Sequence, residues 1–98
     1  MVSRPEVPAD VIEGNLVTKV APIYPASARF TRASGTVLLE ALIGKDGRIH
    51  RLRVLQSPDP ALTVAALTAV QQWVYKPYLL NGEPVEVTAK INVNFRIG

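Results

Sequence analysis

Catalysis needs a nucleophile, a base or a metal, and few residues of this chain can supply one. His50 is the only histidine and cysteine is absent, so a metal site would be one imidazole among carboxylates. The eight acidic residues are scattered and suggest no such group. Ser3, Ser27, Ser34 and Ser57 stand in linker, helix and turn contexts, none of them within a G-x-S-x-G elbow. The stretch "GKDG" at residues 44–47 leads into a strand rather than a helix N-terminus, which makes it a turn and not a phosphate loop. Lys45, Arg48, His50, Arg51 and Arg53 lie close in sequence and suit either an anionic partner or a solvated strand face. Trp73 closes a helical stripe and reads as core. These residues point to no enzyme and call for no cofactor.

The chemistry that remains is that of the backbone. In "VEVTAKINVNFRIG" the odd positions Val85, Val87, Ala89, Ile91, Val93, Phe95 and Ile97 are apolar or small, and the even ones from Glu86 to Arg96 are polar. Period two marks a strand with one buried and one wet face. Such a strand spans roughly 44 Å at about 3.4 Å per residue, longer than anything else in the sequence can match.

Composition frames what can position it. A chain of 98 residues makes one domain with a modest core, and its 48% hydrophobic residues argue against wholesale disorder. A net charge of +3 is too mild and too dispersed to imply nucleic-acid binding. No apolar run approaches a membrane span, and the N-terminus lacks a signal-peptide pattern. The chain therefore reads as cytoplasmic or as a domain cut from a larger protein.

Residues 1–15 carry two prolines and small polar residues, and are expected to form a linker or N-terminal extension with little structure, followed by a domain over 16–98. "LVTKV" at 16–20 suits a short strand. Pro25 fits the first turn of a helix running to about Ser34, with Gly35 as its left-handed cap. "TVLLEALI" and "RIHRLRVLQS" flank Asp46-Gly47 as a hairpin. Leu38 and Leu42 on the second face of the first strand suggest a sheet covered on both sides, and the phase of Ile49 suggests a bulge near His50 and Arg51. Asp59 and Pro60 open the best helix, whose stripe runs through Leu62, Ala65, Ala66, Ala69, Val70 and Trp73. Asn81-Gly82 then turns a second hairpin into the last strand. The expected fold is α+β: an antiparallel sheet of three to four strands against two helices, with a long C-terminal edge strand.

If residues 76–80 pair with the last strand, they cover it only as far as Thr88. Ala89, Lys90, Ile91, Asn92, Val93, Asn94, Phe95, Arg96 and Ile97 are then left with one neighbour and an open row of N–H and C=O groups. Such an edge is kept soluble by its polar face, buried in a homodimer, or used to dock an added strand.

The order and spacing of Tyr24-Pro25, Gly35, Asp46-Gly47, the helix to Trp73, Tyr75, Pro77, Asn81-Gly82, Pro84-Val85 and Phe95 resemble the TonB C-terminal domain family over about residues 20–97. The resemblance implies a periplasmic domain of an energy transducer. Such a protein is anchored in the inner membrane through a part absent here and works there with ExbB and ExbD. It implies that the TonB box of an outer-membrane transporter adds as a strand along residues 89–97, and that Arg29 and Arg32 face acidic groups of the transporter. The longer "YLLNGEPVEV" hairpin departs from shorter members and blurs where the open edge begins. Two alternatives keep the fold: the same domain appended to another envelope protein, binding peptide or cell wall, and a strand-exchanged homodimer.

Overall fold

The computed structural model describes residues 4–97. In chain order the elements are β1 (Glu6–Val7), α1 (Ala9–Gly14), β2 (Leu16–Thr18), α2 (Ala26–Phe30), β3 (Gly35–Ile43) and β4 (Ile49–Gln56). They continue with α3 (Pro60–Val70), β5 (Val74–Tyr75), β6 (Leu79–Leu80), β7 (Glu83–Pro84) and β8 (Val87–Phe95). The main sheet has the order β1-β8-β3-β4, and the pairs β2-β5 and β6-β7 form two small sheets beside it. The architecture is the α+β fold expected, with α1 as a third helix.

The centre of the sheet is the antiparallel pair β3-β8, in register over nine residues from Gly35 opposite Phe95 to Ile43 opposite Val87. Alternation gives both strands one apolar face: Val37, Leu39, Ala41 and Ile43 on β3, and Val87, Ala89, Ile91, Val93 and Phe95 on β8, all buried. Helix α3 supplies Leu62, Ala66 and Val70 to the same core. Its start follows the sequence: Asp59 accepts from the N–H groups of Ala61 (2.8 Å) and Leu62 (3.4 Å), and Pro60 takes the first helical position. The Trp73 ring is buried, and its Nε1–H donates to the Val20 carbonyl at 2.8 Å. Tyr24 packs edge-on against Phe95, with centroids 5.5 Å apart.

The bulge foreseen at His50 is present, since Leu42 pairs with Arg51 and Ile43 with Ile49, and a second one leaves Leu55 unpaired. Asn81 and Gly82 both adopt positive φ, 54° and 81°, as an Asn-Gly hairpin turn requires.

Five expectations need correction. Residues 4–15 are not a bare linker: they hold β1 and α1, because Val7 and Ile12 are apolar enough to be buried against the sheet at 2% exposure each. Residues 1–3, Ser3 included, lie outside the described residues. The second hairpin does not cover the last strand. Leu79 pairs with Pro84 and Leu80 with Glu83, and a Pro without an N–H limits the extent of that ladder. The last strand itself is regular over 87–95 rather than 85–97. The far side of the sheet carries no helix among the described residues, and Leu38 and Leu42 are half-buried there beside Gln56 and Arg51.

Finally, α2 ends at Phe30, and the left-handed residue after it is Arg32, with φ 59°, not Gly35. The Ala33 N–H reaches the Ala28 carbonyl (2.8 Å) and the Arg32 N–H reaches that of Arg29 (3.2 Å), which is a Schellman closure with arginine where glycine is usual. The left-handed conformation costs a side-chain-bearing residue about 1 kcal/mol or more. Arg32→Gly is therefore expected to raise unfolding stability by about 1 kcal/mol in denaturant titrations.

Candidate docking edge

The outer side of β8 is decided by backbone direction. The Thr88 N–H donates to the Pro5 carbonyl at 2.9 Å, away from β3. Successive residues of a strand point their N–H groups to opposite sides, so Lys90, Asn92 and Asn94 also point outward. Their neighbours on β8 bond to β3. Beyond Ala89, no strand among the described residues pairs with this side.

Strand β1 fills the beginning of that side. It runs parallel to β8, with Glu6 beside Thr88 and Val7 beside Ala89. Arg4 pairs with Glu86, and Glu6 lies 3.7 Å from Lys90. The free stretch thus starts at Lys90 rather than Ala89, because a segment read as linker has taken the place next to Ala89. Lys90, Asn92 and Asn94 are exposed, while Ala89, Ile91, Val93 and Phe95 turn inward. Arg96 and Ile97 follow the strand's end and are exposed.

The opposite edge of the sheet is guarded. Strand β4 has two bulges and the exposed Arg51 and Arg53, features that discourage edge-to-edge pairing. Strand β8 has no bulge against β3. Of the two edges it is the one able to accept a flat added strand.

Arg32 and Arg96 meet in an open cleft of about 480 Å³ at the far end of β8, lined also by Ser34, Thr36, Asn94, Phe95 and Ile97. Arg29 is exposed in the last turn of α2 and does not line this cleft. Of the three sequence-predicted arginines, Arg32 and Arg96 therefore share this cleft and Arg29 does not.

A second hollow, about 350 Å³, opens beside Lys90, Ile91 and Asn92. Its other walls are Ala9, Ile12 and Glu13 of α1, with Leu16, Lys19, Trp73 and Tyr75. Lys19 sits over the Trp73 ring at 5.7 Å. Sequence reasoning missed this hollow because it treated residues 1–15 as unstructured; Val7 and Ile12 inside that polar, proline-bearing segment were the available signal.

Burial, assisted by the Glu13 carboxylate, pushes the Tyr75 hydroxyl up to about 12. The unfolded chain gives up this proton near pH 10. Between about pH 10 and 12 the unfolded state is thus deprotonated while the folded state still holds its proton, and stability falls as pH rises. Below pH 10 Tyr75 adds no pH dependence. Chemical denaturation at stepped pH, with an ultraviolet titration of the tyrosines, is expected to show the loss within that window.

These features define a small α+β domain whose longest strand keeps most of one edge unpaired. Residues 20–97 match the family model described as the Gram-negative bacterial TonB protein C-terminal, and the chain belongs to that family. It is 34% identical over 80 residues to Protein TonB of Vibrio cholerae and 32% identical over 82 residues to Protein TonB of Klebsiella pneumoniae. The matches cover 81% and 80% of this chain, but only 33% and 32% of those proteins, so the chain spans about a third of their length. The solution NMR structure of the Pseudomonas aeruginosa TonB CTD superposes with a TM-score of 0.71 at 28% identity, covering 84% of each chain. No helix among the described residues is long and apolar enough to cross a membrane.

Proposed function

We propose that this domain is the periplasmic end of a TonB-type energy transducer and that it docks the TonB box of an outer-membrane transporter as a strand added to β8. The observation that carries the reading is the row of outward, unpaired N–H groups at Lys90, Asn92 and Asn94. Main-chain bonds to this row supply affinity, and side chains at alternate positions supply selectivity. The docking residues are Lys90, Ile91, Asn92, Val93, Asn94, Phe95, Arg96 and Ile97, with Ala89 at the border shared with β1.

Arg32, beside Arg96, meets acidic groups of the transporter, and Arg29 adds charge on the same helix end. The domain transmits force and carries out no catalysis. In the full-length protein it is tethered to the inner membrane, where ExbB and ExbD couple it to the proton gradient.

The test is a backbone amide NMR titration of the domain with a peptide from a transporter's TonB box. Shifts and slowed amide exchange concentrated at residues 90–97 support the reading. A folded, monomeric sample showing no shifts there overturns it.

A further inference from the structure

The segment lying on β8 copies what a docked strand would do. Pro5 accepts from Thr88, Glu6 stands on the wet face 3.7 Å from Lys90, and Val7 is buried on the core face beside Ala89. Its hold is slight: two residue pairs, against nine between β8 and β3. Pro5 and Pro8 on either side have no N–H to donate. Past Pro8 the chain turns into α1, and the next core-facing place in line, beside Ile91, is the hollow walled by Ala9, Ile12, Trp73 and Tyr75.

We propose that residues 88–95 form one continuous docking edge and that Pro5, Glu6 and Val7 occupy its first part until an incoming strand displaces them. The partner this edge fits is an extended segment with an acidic residue for Lys90 and apolar residues at alternate positions. One of those apolar residues enters the hollow beside Ile91. Displacement adds the Thr88 N–H to the three donors already free, which is what favours a longer strand over one that stops at Lys90. The proposal rests on the docking function above and assigns β1 as a built-in competitor at that site.

The probe is a capped peptide, Glu-Val-Thr-Leu-Thr-Val, titrated by calorimetry and amide NMR into the whole 98-residue chain. Val7→Asp weakens β1 and is expected to tighten binding about tenfold, by raising the fraction of molecules with a free edge. Glu6→Cys combined with Thr88→Cys places two thiols on directly paired residues, and the chain has no other cysteine. The oxidised form pins β1 down and is expected to bind about tenfold more weakly than the same protein reduced.

Equal affinity of oxidised and reduced protein would show that the partner leaves β1 in place, and would overturn the proposal while leaving docking itself standing. If Val7→Asp fails to fold, the cysteine pair decides alone. Self-association of Val7→Asp in sedimentation would give the edge to a second copy of this chain and overturn it too. Absence of binding by every form would remove the docking function along with the competitor.

Discussion

Asn92→Pro is expected to abolish strand docking while the domain remains folded. Asn92 is exposed, sits midway along the free part of β8, and directs its N–H outward by the same alternation that sends Thr88 to Pro5. Proline removes that donor and sets a ring against the partner's carbonyl. The lost bond and the stranded acceptor together amount to about 2 to 4 kcal/mol, or roughly 30- to 1000-fold in Kd. The fold loses little because the β3-β8 ladder uses the N–H groups of the neighbouring residues, not that of Asn92. A drop of about 1 kcal/mol, roughly 4 to 8 °C in Tm, is the expected scale. Asn92→Ala keeps the N–H and is expected to bind within a few-fold of the wild type. Calorimetry with the peptide and thermal melts of both variants check the pair. Global unfolding of Asn92→Pro would place that N–H inside the sheet and end the docking model.

Gly47→Ala is expected to be among the most damaging single-atom additions to the fold. Gly47 has φ 80°, and a Cβ there would lie 1.9 Å from the Tyr75 carbonyl oxygen. The Tyr75 N–H also donates to the Gly47 carbonyl at 2.8 Å, so this turn is bonded to β5 at close quarters. Left-handed strain of about 1 to 2 kcal/mol adds to the loss of that bond, about 1 kcal/mol or more. The sum, about 3 kcal/mol, is a large part of the roughly 5 to 15 kcal/mol that holds such a domain together. Gly44→Ala is the control: its Cβ would meet the His50 ring at 2.3 Å and the Asp46 carboxylate at 2.7 Å, both ends of exposed side chains that can swing away. Its expected cost is about 1 kcal/mol or less. Urea denaturation of the two variants side by side checks the contrast.

Sequence reasoning does best where one residue type answers one local demand. The Asp59-Pro60 start of α3, the Asn81-Gly82 turn and the bulge at His50 all follow from chemistry within a few residues of where they occur. The inward and outward faces of β8 follow equally from its alternation. What escapes is decided by pairing over distance. Nothing near Glu6 and Val7 says that they will lie against Thr88 and Ala89, more than eighty positions away, and two-residue strands leave no periodic trace. The open edge therefore lies on the strand whose alternation marks it, but its cover is the N-terminal segment and not the hairpin arm. The end of α2 failed for another reason. Gly35 is the residue that capping preferences favour, yet the chain closes its helix on Arg32 and uses Gly35 three residues later, where φ is 135°.

The unequal bonding on the two sides of β8 sets an order of failure. On the inner side β8 is paired with β3 along all nine residues from Val87 to Phe95; on the outer side, with β1 in place, an added strand finds only the six from Lys90 to Phe95. A pull on such a strand meets its weakest junction outside the domain rather than within it. On the docking proposed above, the joint would act as a mechanical fuse, parting before the sheet tears and leaving the domain intact for the next engagement.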